Sequence, residues 1–154
     1  MTELQVYFDG LCQPVNPGGI ACYAFLIKSG DRTVYKERGL AAKPFSKEAT
    51  NNVAEYTALI KALEWLAANK SEQQAVRVKG DSRLVISQMR GEFKVKAKAI
   101  MPLFQKAALL KNRFSDIEFQ WVPREENREA DRLSEEAYNN AFLDDPKLLD
   151  KIRK

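Results

Sequence analysis

The sequence contains no histidine, and this absence narrows the chemistry open to the chain. Without histidine there is no Ser-His-Asp or Cys-His catalytic arrangement and no histidine-ligated zinc site. The two cysteines, Cys12 and Cys22, are too few for an all-cysteine zinc site or a disulfide framework. Any catalytic metal must therefore be held by carboxylates, which favour a hard cation such as Mg²⁺ or Mn²⁺.

Long apolar runs are also missing. No run approaches the roughly 18 residues of a membrane span, and the N-terminus lacks the basic-then-apolar pattern of a signal peptide. We therefore expect a cytoplasmic protein with no membrane partner, in which Cys12 and Cys22 are reduced, although a pairing of the two stays open. The formal net charge of +4 suits a polyanionic partner. A monomer is the default expectation.

The apolar pattern along the 154 residues predicts one domain with the element order β-β-β-α-β-α-α-β-α. Three hairpin strands followed by alternating helices and strands predict an α/β fold: a five-stranded mixed sheet, its first three strands antiparallel, with helices packed on it. We place the domain at residues 1–140 and expect 141–154 to be a C-terminal tail or a short docked helix. The predicted strands cover residues 4–9, 20–27, 32–40, 75–79 and 116–122, and the predicted helices lie near 53–67, 84–89, 97–113 and 125–140.

Four carboxylates stand where such a sheet can bring them together. Asp9 ends the first predicted strand and Asp81 ends the fourth, and in a mixed sheet these strands can lie side by side. Glu55 falls on the first long helix and Asp131 on the last. Converging carboxylates repel one another unless a cation neutralises them, and two divalent ions about 4 Å apart use such a cluster to attack a phosphodiester. Because an aspartate at a strand end is more often a cap or turn residue, spacing alone does not establish this convergence.

Five motifs, taken in order, resemble those of type 1 ribonuclease H. They are YFDG at residues 7–10, NPGG at 16–19, TNNVAEY at 50–56, GDS at 80–82 and WVPREENREAD at 121–131. The match runs from near residue 4 to near residue 138, which is most of the chain. This resemblance implies the RNase H-like fold and an endonuclease that cuts the RNA strand of RNA/DNA hybrids, with two Mg²⁺ or Mn²⁺ ions expected when substrate is bound.

The resemblance also assigns the residues that carry the chemistry. The metal-binding and catalytic acids it implies are Asp9, Glu55, Asp81 and Asp131. Well-known members place a flexible histidine in the loop before the last aspartate, and this chain has none. Arg124 or Glu125 occupies that place, and Arg124 is expected to hold the scissile or product phosphate by paired hydrogen bonds. The alternative for Arg124 is an ordinary solvated loop charge.

A second departure concerns the basic protrusion with which some members grip the hybrid. Here only residues 91–99 separate two predicted helices. If this segment is extended, Lys94, Lys96 and Lys98 share one side and can contact phosphates, each contact adding to a salt-sensitive affinity. A solvated loop is the alternative.

Recognition of a hybrid is expected in its wide, shallow minor groove, where 2′-hydroxyls are exposed. Short side chains and glycines close to the backbone suit that surface. The substrate-binding residues implied by the resemblance are Gly10, Asn16, Thr50, Asn51, Asn52 and Arg83. Helix capping is the alternative for Asn51 and Asn52. No residue set suggests reading of base edges, so we expect weak sequence preference.

Two other functions stay open from the sequence. One is a nuclease of the same fold that also cleaves double-stranded RNA, as the short loop before Asp131 allows. The other is a nucleic-acid-binding module that has lost catalysis. The presence of all four acids argues against the second, because lost catalysis usually shows as a missing carboxylate.

Overall fold

The first strand of the chain is the middle strand of a five-stranded sheet. This architecture is seen in a computed structural model that describes residues 3–153. The strands are β1 (Leu4–Gln13), β2 (Ile20–Ser29), β3 (Arg32–Leu40), β4 (Ala75–Gly80) and β5 (Asp116–Trp121). The helices are α1 (Asn51–Ala68), α2 (Arg83–Met89), α3 (Met101–Lys111), α4 (Arg128–Asp144) and α5 (Lys147–Arg153).

The strand order is β3-β2-β1-β4-β5, which confirms the predicted mixed sheet. Strands β1, β2 and β3 pair antiparallel, whereas β4 pairs parallel with both β1 and β5. Within the β1–β4 pair, Tyr7 lies opposite Lys79. Asp9 lies two residues after Tyr7, and Asp81 lies two residues after Lys79. Because β1 and β4 run parallel, the two aspartates are at the same end of this strand pair.

The two faces of β1 contact different helices because successive side chains of a strand point to opposite sides. Val6 and Phe8 pack against α1 in the main core, together with Leu59 and Leu63. Residues of the other parity, Tyr7, Asp9 and Leu11, lie on the side covered by α4. The carboxylate of Asp9 on β1 is therefore enclosed by the sheet and by the first turns of α4.

The first strand does not end at Asp9 before Gly10, and that prediction was wrong. The strand continues to Gln13, and Gly10 lies opposite Tyr23 of β2 in the antiparallel ladder. A side chain is excluded here for another reason: a Cβ atom on Gly10 would lie 2.4 Å from the backbone nitrogen of Glu55. The glycine therefore sets how closely α1 can approach β1, and Glu55 sits at that point of approach.

The helix ends differ from the predicted limits where tertiary contacts decide them. Helix α3 begins only at Met101, with Pro102 in its first turn, where a proline is tolerated. Helix α4 is preceded by a 3₁₀ turn at Arg124–Glu126 and begins after Asn127, whose backbone is not helical. The side-chain amide of Asn127 donates to the backbone oxygen of Phe8 at 2.9 Å, which anchors this loop to β1.

The C-terminal residues continue as helix. Helix α4 runs to Asp144, and Leu148 of α5 is buried beside Ala137, Ala141 and Leu11. Cys12 and Cys22 are free thiols on the neighbouring strands β1 and β2. Across residues 3–153, none of the helices combines the length and the apolar character needed to cross a membrane.

The close approach at Gly10 gives a stability prediction. We expect Gly10→Ala to lower the free energy of unfolding by about 1–3 kcal/mol or more, because the new methyl group must push α1 away from β1. Gly30→Asn is the matched control, since Gly30 has a φ of +62° and open space around it, a conformation that asparagine tolerates. Thermal and denaturant unfolding measure both, and equal losses for the two variants would contradict the packing argument.

Candidate metal centre

Asp9 is the most enclosed carboxylate on the sheet. Its position on β1 turns the side chain toward α4, and only 5% of the residue is exposed. The hydroxyl of Ser134, on α4, lies 2.9 Å from Asp9 Oδ2. The carboxylate is therefore held between the sheet and a helix rather than in a solvated turn.

Glu55 is placed by the way α1 begins. Thr50 caps the helix, because its Oγ1 accepts a hydrogen bond from the backbone N–H of Val53 at 3.0 Å. Asn16 Oδ1 accepts from the backbone N–H of Asn51 at 3.1 Å, which ties the preceding loop to the same helix end. Glu55 then lies in the second turn, directly over Gly10, and is 4% exposed. The capping alternative for Asn51 and Asn52 is wrong, since Thr50 is the cap and both asparagines lie inside α1.

Asp81 follows β4 and is half-buried. Ser82 caps α2 through a hydrogen bond from the backbone N–H of Val85 at 3.2 Å. The indole N–H of Trp121, at the end of β5, donates to the backbone oxygen of Asp81 at 3.1 Å. These two contacts fix the short segment that presents Asp81 at the end of the sheet.

The sheet and two helices bring the acids into one cleft of about 350 Å³. Carboxylate oxygens of Asp9, Glu55 and Asp81 lie within 4.8 Å of one another. Asp131, in the first turn of α4, lines the same cleft and lies 3.5 Å from Arg124, measured from Oδ2 to Nη2. The four predicted acids thus share one site, with three in a tight group and Asp131 beside them.

Burial and mutual repulsion raise the pKa values of these acids. The pKa of Glu55 is well above its usual range because the side chain is buried and faces the charges of Asp9 and Asp81. The pKa of Asp9 is raised to about 7, chiefly by burial and then by Asp81, while the Ser134 hydrogen bond lowers it. Burial also raises the pKa of Asp81. Without a cation, the protein holds protons here that ordinary carboxylates would release.

The donor set fits a hard divalent cation. Among residues 3–153, Glu55 Oε2 is buried and has no hydrogen-bond partner, although a buried carboxylate oxygen ordinarily has one. Carboxylate oxygens of Asp9 and Asp81 lie within 4.8 Å of the Glu55 carboxylate, and Mg²⁺ and Mn²⁺ prefer such oxygens as ligands. A cation among Asp9, Glu55 and Asp81 would both satisfy this atom and remove the repulsion.

The remaining predicted residues divide between the cleft and its surroundings. Those that line the cleft are Gly10, Asn51 and Arg124. Those outside its lining are Asn16, Thr50, Asn52 and Arg83. The guanidinium of Arg83 stacks 3.7 Å over the ring of Trp121, beside the segment that carries Asp81.

Three polar residues at the site were not expected from the sequence. Glu135 lines the cleft, Asn127 is 1% exposed and bonds to β1, and Ser134 contacts Asp9. Ser134 lies in the buried stripe of α4 between Leu133 and Ala137. A polar residue among these apolar positions was the one feature of the sequence that could have indicated its role. Asn127 stands just before a helix, where an asparagine more often indicates only a cap.

Comparison with known proteins gives consistent matches. The family model described as "Reverse transcriptase-like" matches residues 32–137. The "Bifunctional protein Rv2228c" of Mycobacterium tuberculosis is 37% identical over 126 residues, which are 82% of this chain and 33% of that protein. "Ribonuclease HI" of Halobacterium salinarum is 36% identical over 139 residues, which are 90% of this chain and 66% of that protein.

A solved structure of LC11-RNase H1 in complex with an RNA/DNA hybrid is also similar. Its TM-score is 0.80 at 35% identity, and the match covers 90% of this chain and 99% of the other. The chain spans about a third of the length of the first curated relatives it matches.

The raised pKa of Asp9 gives a pH prediction for the metal-free protein. The folded state keeps a proton on Asp9 that the unfolded chain loses above pH 3.8, so this site's contribution to stability falls as the pH rises from 3.8 to about 7. We expect Asp9→Asn, measured in EDTA, to raise the free energy of unfolding at pH 8 by about 1–4 kcal/mol, since that rise in pKa corresponds to about 4 kcal/mol at most. The gain should largely disappear near pH 4.

Asp31→Asn is the control, because Asp31 is exposed in the turn between β2 and β3 and a surface change of this kind alters stability by about 0.5 kcal/mol or less. The other charges facing Asp9 are Glu55 on α1, Asp81 after β4, and the Asp131–Arg124 pair. A destabilised Asp9→Asn protein at pH 8 would show that repulsion at this site is not the dominant force.

Proposed function

Because this chain belongs to the type 1 ribonuclease H family, we propose that it hydrolyses the RNA strand of RNA/DNA hybrids with divalent metal ions. The observation that supports this most directly is the group of three carboxylates, with Asp131 lining the same cleft. The relative LC11-RNase H1 was solved with an RNA/DNA hybrid, and the relative from Halobacterium salinarum carries the name Ribonuclease HI.

The ions proposed are Mg²⁺ or Mn²⁺, two of them when substrate is bound. The residues that would hold them are Asp9, Glu55, Asp81 and Asp131. Two divalent ions in such a site activate water and stabilise the leaving oxygen of a phosphodiester. The orphaned oxygen of Glu55 and the raised pKa values of Asp9 and Glu55 support this assignment, because both features call for a cation.

Arg124 is proposed to hold a phosphate of the substrate or product. Its side chain is 74% exposed at the mouth of the cleft, and its Nη2 atom lies 3.5 Å from Asp131. A guanidinium pairs with phosphate through two parallel hydrogen bonds, and exposure leaves Arg124 able to turn toward one. It stands in the loop where well-known members of the family carry a histidine.

The start of α1 is proposed to read the minor groove of the hybrid. Asn16 Oδ1 accepts a hydrogen bond from the backbone N–H of Asn51. The side-chain amide hydrogens of Asn16 are therefore the groups that would donate to a 2′-hydroxyl. The hydroxyl of Thr50 accepts from Val53 and keeps its own hydrogen for a phosphate of the DNA strand. Asn51 and Asn52 are half-buried beside these groups.

Two basic features outside the lining of the cleft are proposed to contact the hybrid. The guanidinium carbon of Arg83 lies 3.7 Å from the centre of the Trp121 ring, and this contact would hold Arg83 for a further groove contact. Lys94, Lys96 and Lys98 are exposed in the irregular segment between α2 and α3. We include these three lysines as phosphate contacts, which makes hybrid binding sensitive to salt.

We keep residues 1–140 as the nuclease domain and 141–154 as a docked C-terminal segment, a proposal supported by the burial of Leu148. Cytoplasmic location and a monomeric state stay predictions from the sequence.

An inactive binding module is disfavoured, because the three-carboxylate group and Asp131 would serve no purpose in binding an anionic duplex.

Cleavage of labelled substrates tests the proposed function. We expect purified protein to cut the RNA strand of an RNA/DNA hybrid with Mg²⁺ or Mn²⁺ and to cut nothing in EDTA. Asp9→Asn should abolish cleavage while circular dichroism shows an intact fold, because the site loses a charged ligand. RNA/RNA and DNA/DNA duplexes run in parallel define the substrate class.

Activity near the wild-type rate in Asp9→Asn would contradict the metal assignment. Cleavage of RNA/RNA at a rate comparable to the hybrid would replace hybrid specificity with a broader ribonuclease activity. Binding of the hybrid without cleavage under either metal would favour the inactive module.

The proposed role of Arg124 gives a separate prediction. Arg124→Ala should lower kcat/KM for the hybrid roughly 10- to 100-fold, since a hydrogen bond to a charged group contributes about 1.5–3 kcal/mol. Arg124→Lys should recover only part of the loss, because a lysine cannot form the paired contact. Arg132→Ala, an exposed arginine of α4 outside the cleft lining, is the control. Equal kinetics for the two alanine variants would make Arg124 a solvated loop charge.

A further inference from the structure

Ser134 carries a fully buried hydroxyl between two of the acids. The residue has no exposed surface, and its Oγ lies 2.9 Å from Asp9 Oδ2 and 2.8 Å from the backbone oxygen of Asp131. A serine hydroxyl has one hydrogen, so it can donate to only one of these oxygens at a time. The contact joins the middle strand of the sheet to the helix that carries the fourth acid.

The charge on Asp9 decides which oxygen receives the hydrogen. Hydrogen bonds to an ionised carboxylate are roughly twice as strong as those between neutral groups, so an ionised Asp9 takes it. The backbone oxygen of Asp131 is the ordinary acceptor for a serine in a helix and remains available when Asp9 does not need the donor. The Ser134 hydroxyl is therefore placed to donate to the Asp9 carboxylate.

Asp9 needs such a donor because its other charged neighbours repel it. Glu55 and Asp81 place carboxylate oxygens within 4.8 Å of the group, and Asp131 raises the pKa of Asp9 further. Repulsion alone would rotate the Asp9 carboxylate about its last bond. The uncharged hydroxyl of Ser134 on α4 holds one oxygen of Asp9 in place and leaves the negative charge of the carboxylate available to a cation.

We propose that Ser134 is a positioning residue, whose hydroxyl fixes the Asp9 carboxylate in the orientation that binds a divalent cation. The inference rests on the proposed function, since it concerns the same metal site. Hydrogen-bonding partners of metal ligands typically change metal affinity by about 10- to 100-fold when they are removed. Ser134 acts only through Asp9, and its effect should therefore appear in metal affinity rather than in the overall stability of the fold.

Calorimetric titration of the metal-free protein with Mn²⁺ tests the inference without measuring activity. Ser134→Ala should weaken Mn²⁺ binding roughly 10- to 100-fold, with little change in the Tm measured in EDTA. Ser134→Thr keeps the donor and should restore the wild-type Kd. Thr57→Val is the matched control, because the Thr57 hydroxyl lies 2.7 Å from the backbone oxygen of Val53 and removing it should leave the Kd unchanged.

Each outcome separates this inference from the proposed function. Wild-type protein that binds no Mn²⁺ would overturn both. Wild-type binding with an unchanged Kd in Ser134→Ala would overturn the positioning role alone, whatever the Tm. A lower Tm with an unchanged Kd would make Ser134 only a packing residue. If Ser134→Thr cannot fold because of its extra methyl group, the Kd values of Ser134→Ala and Thr57→Val still decide the question.

Discussion

Repulsion between the buried carboxylates of Asp9 and Glu55 is the constraint on which the rest of the site depends. Both residues are about 5% exposed or less, and the charge of Asp9 adds to burial in raising the pKa of Glu55. A protein core ordinarily excludes such a pair because the cost of burying like charges is large. The fold accepts this cost at one place, the end of the sheet where β1 and β4 lie side by side.

The surrounding residues hold the acids in place without neutralising them. Gly10 allows α1 to approach β1, Thr50 starts that helix at the right residue, and Ser134 holds one oxygen of Asp9. Each of these groups is uncharged, so the negative potential of the cleft remains. The single cation in the lining of the cleft, within residues 3–153, is Arg124, which is largely exposed and pairs with Asp131 rather than with the three-carboxylate group.

Local sequence pattern predicted the three hairpin strands, the parallel neighbour β4 and the two helices that deliver Glu55 and Asp131. It failed where distant parts of the chain decide the outcome. The first strand was predicted to end at Asp9, just before Gly10, because the close approach of α1 to this glycine cannot be recognised from the local sequence. The partners of Asn127 and Ser134 are 119 and 125 residues away on β1, so local periodicity could mark Ser134 as unusual in its apolar stripe but could not identify the partner of either residue.

The most direct test of the central claim is the number of protons released when Mn²⁺ binds, measured by calorimetry in buffers of different ionisation enthalpy. If Asp9 and Glu55 hold protons that a cation must displace, Mn²⁺ binding near pH 7 should release protons, and the number released should fall as the pH rises. Mn²⁺ binding with no proton release between about pH 5 and pH 8 would contradict the account, because the acids would then be ionised without the metal.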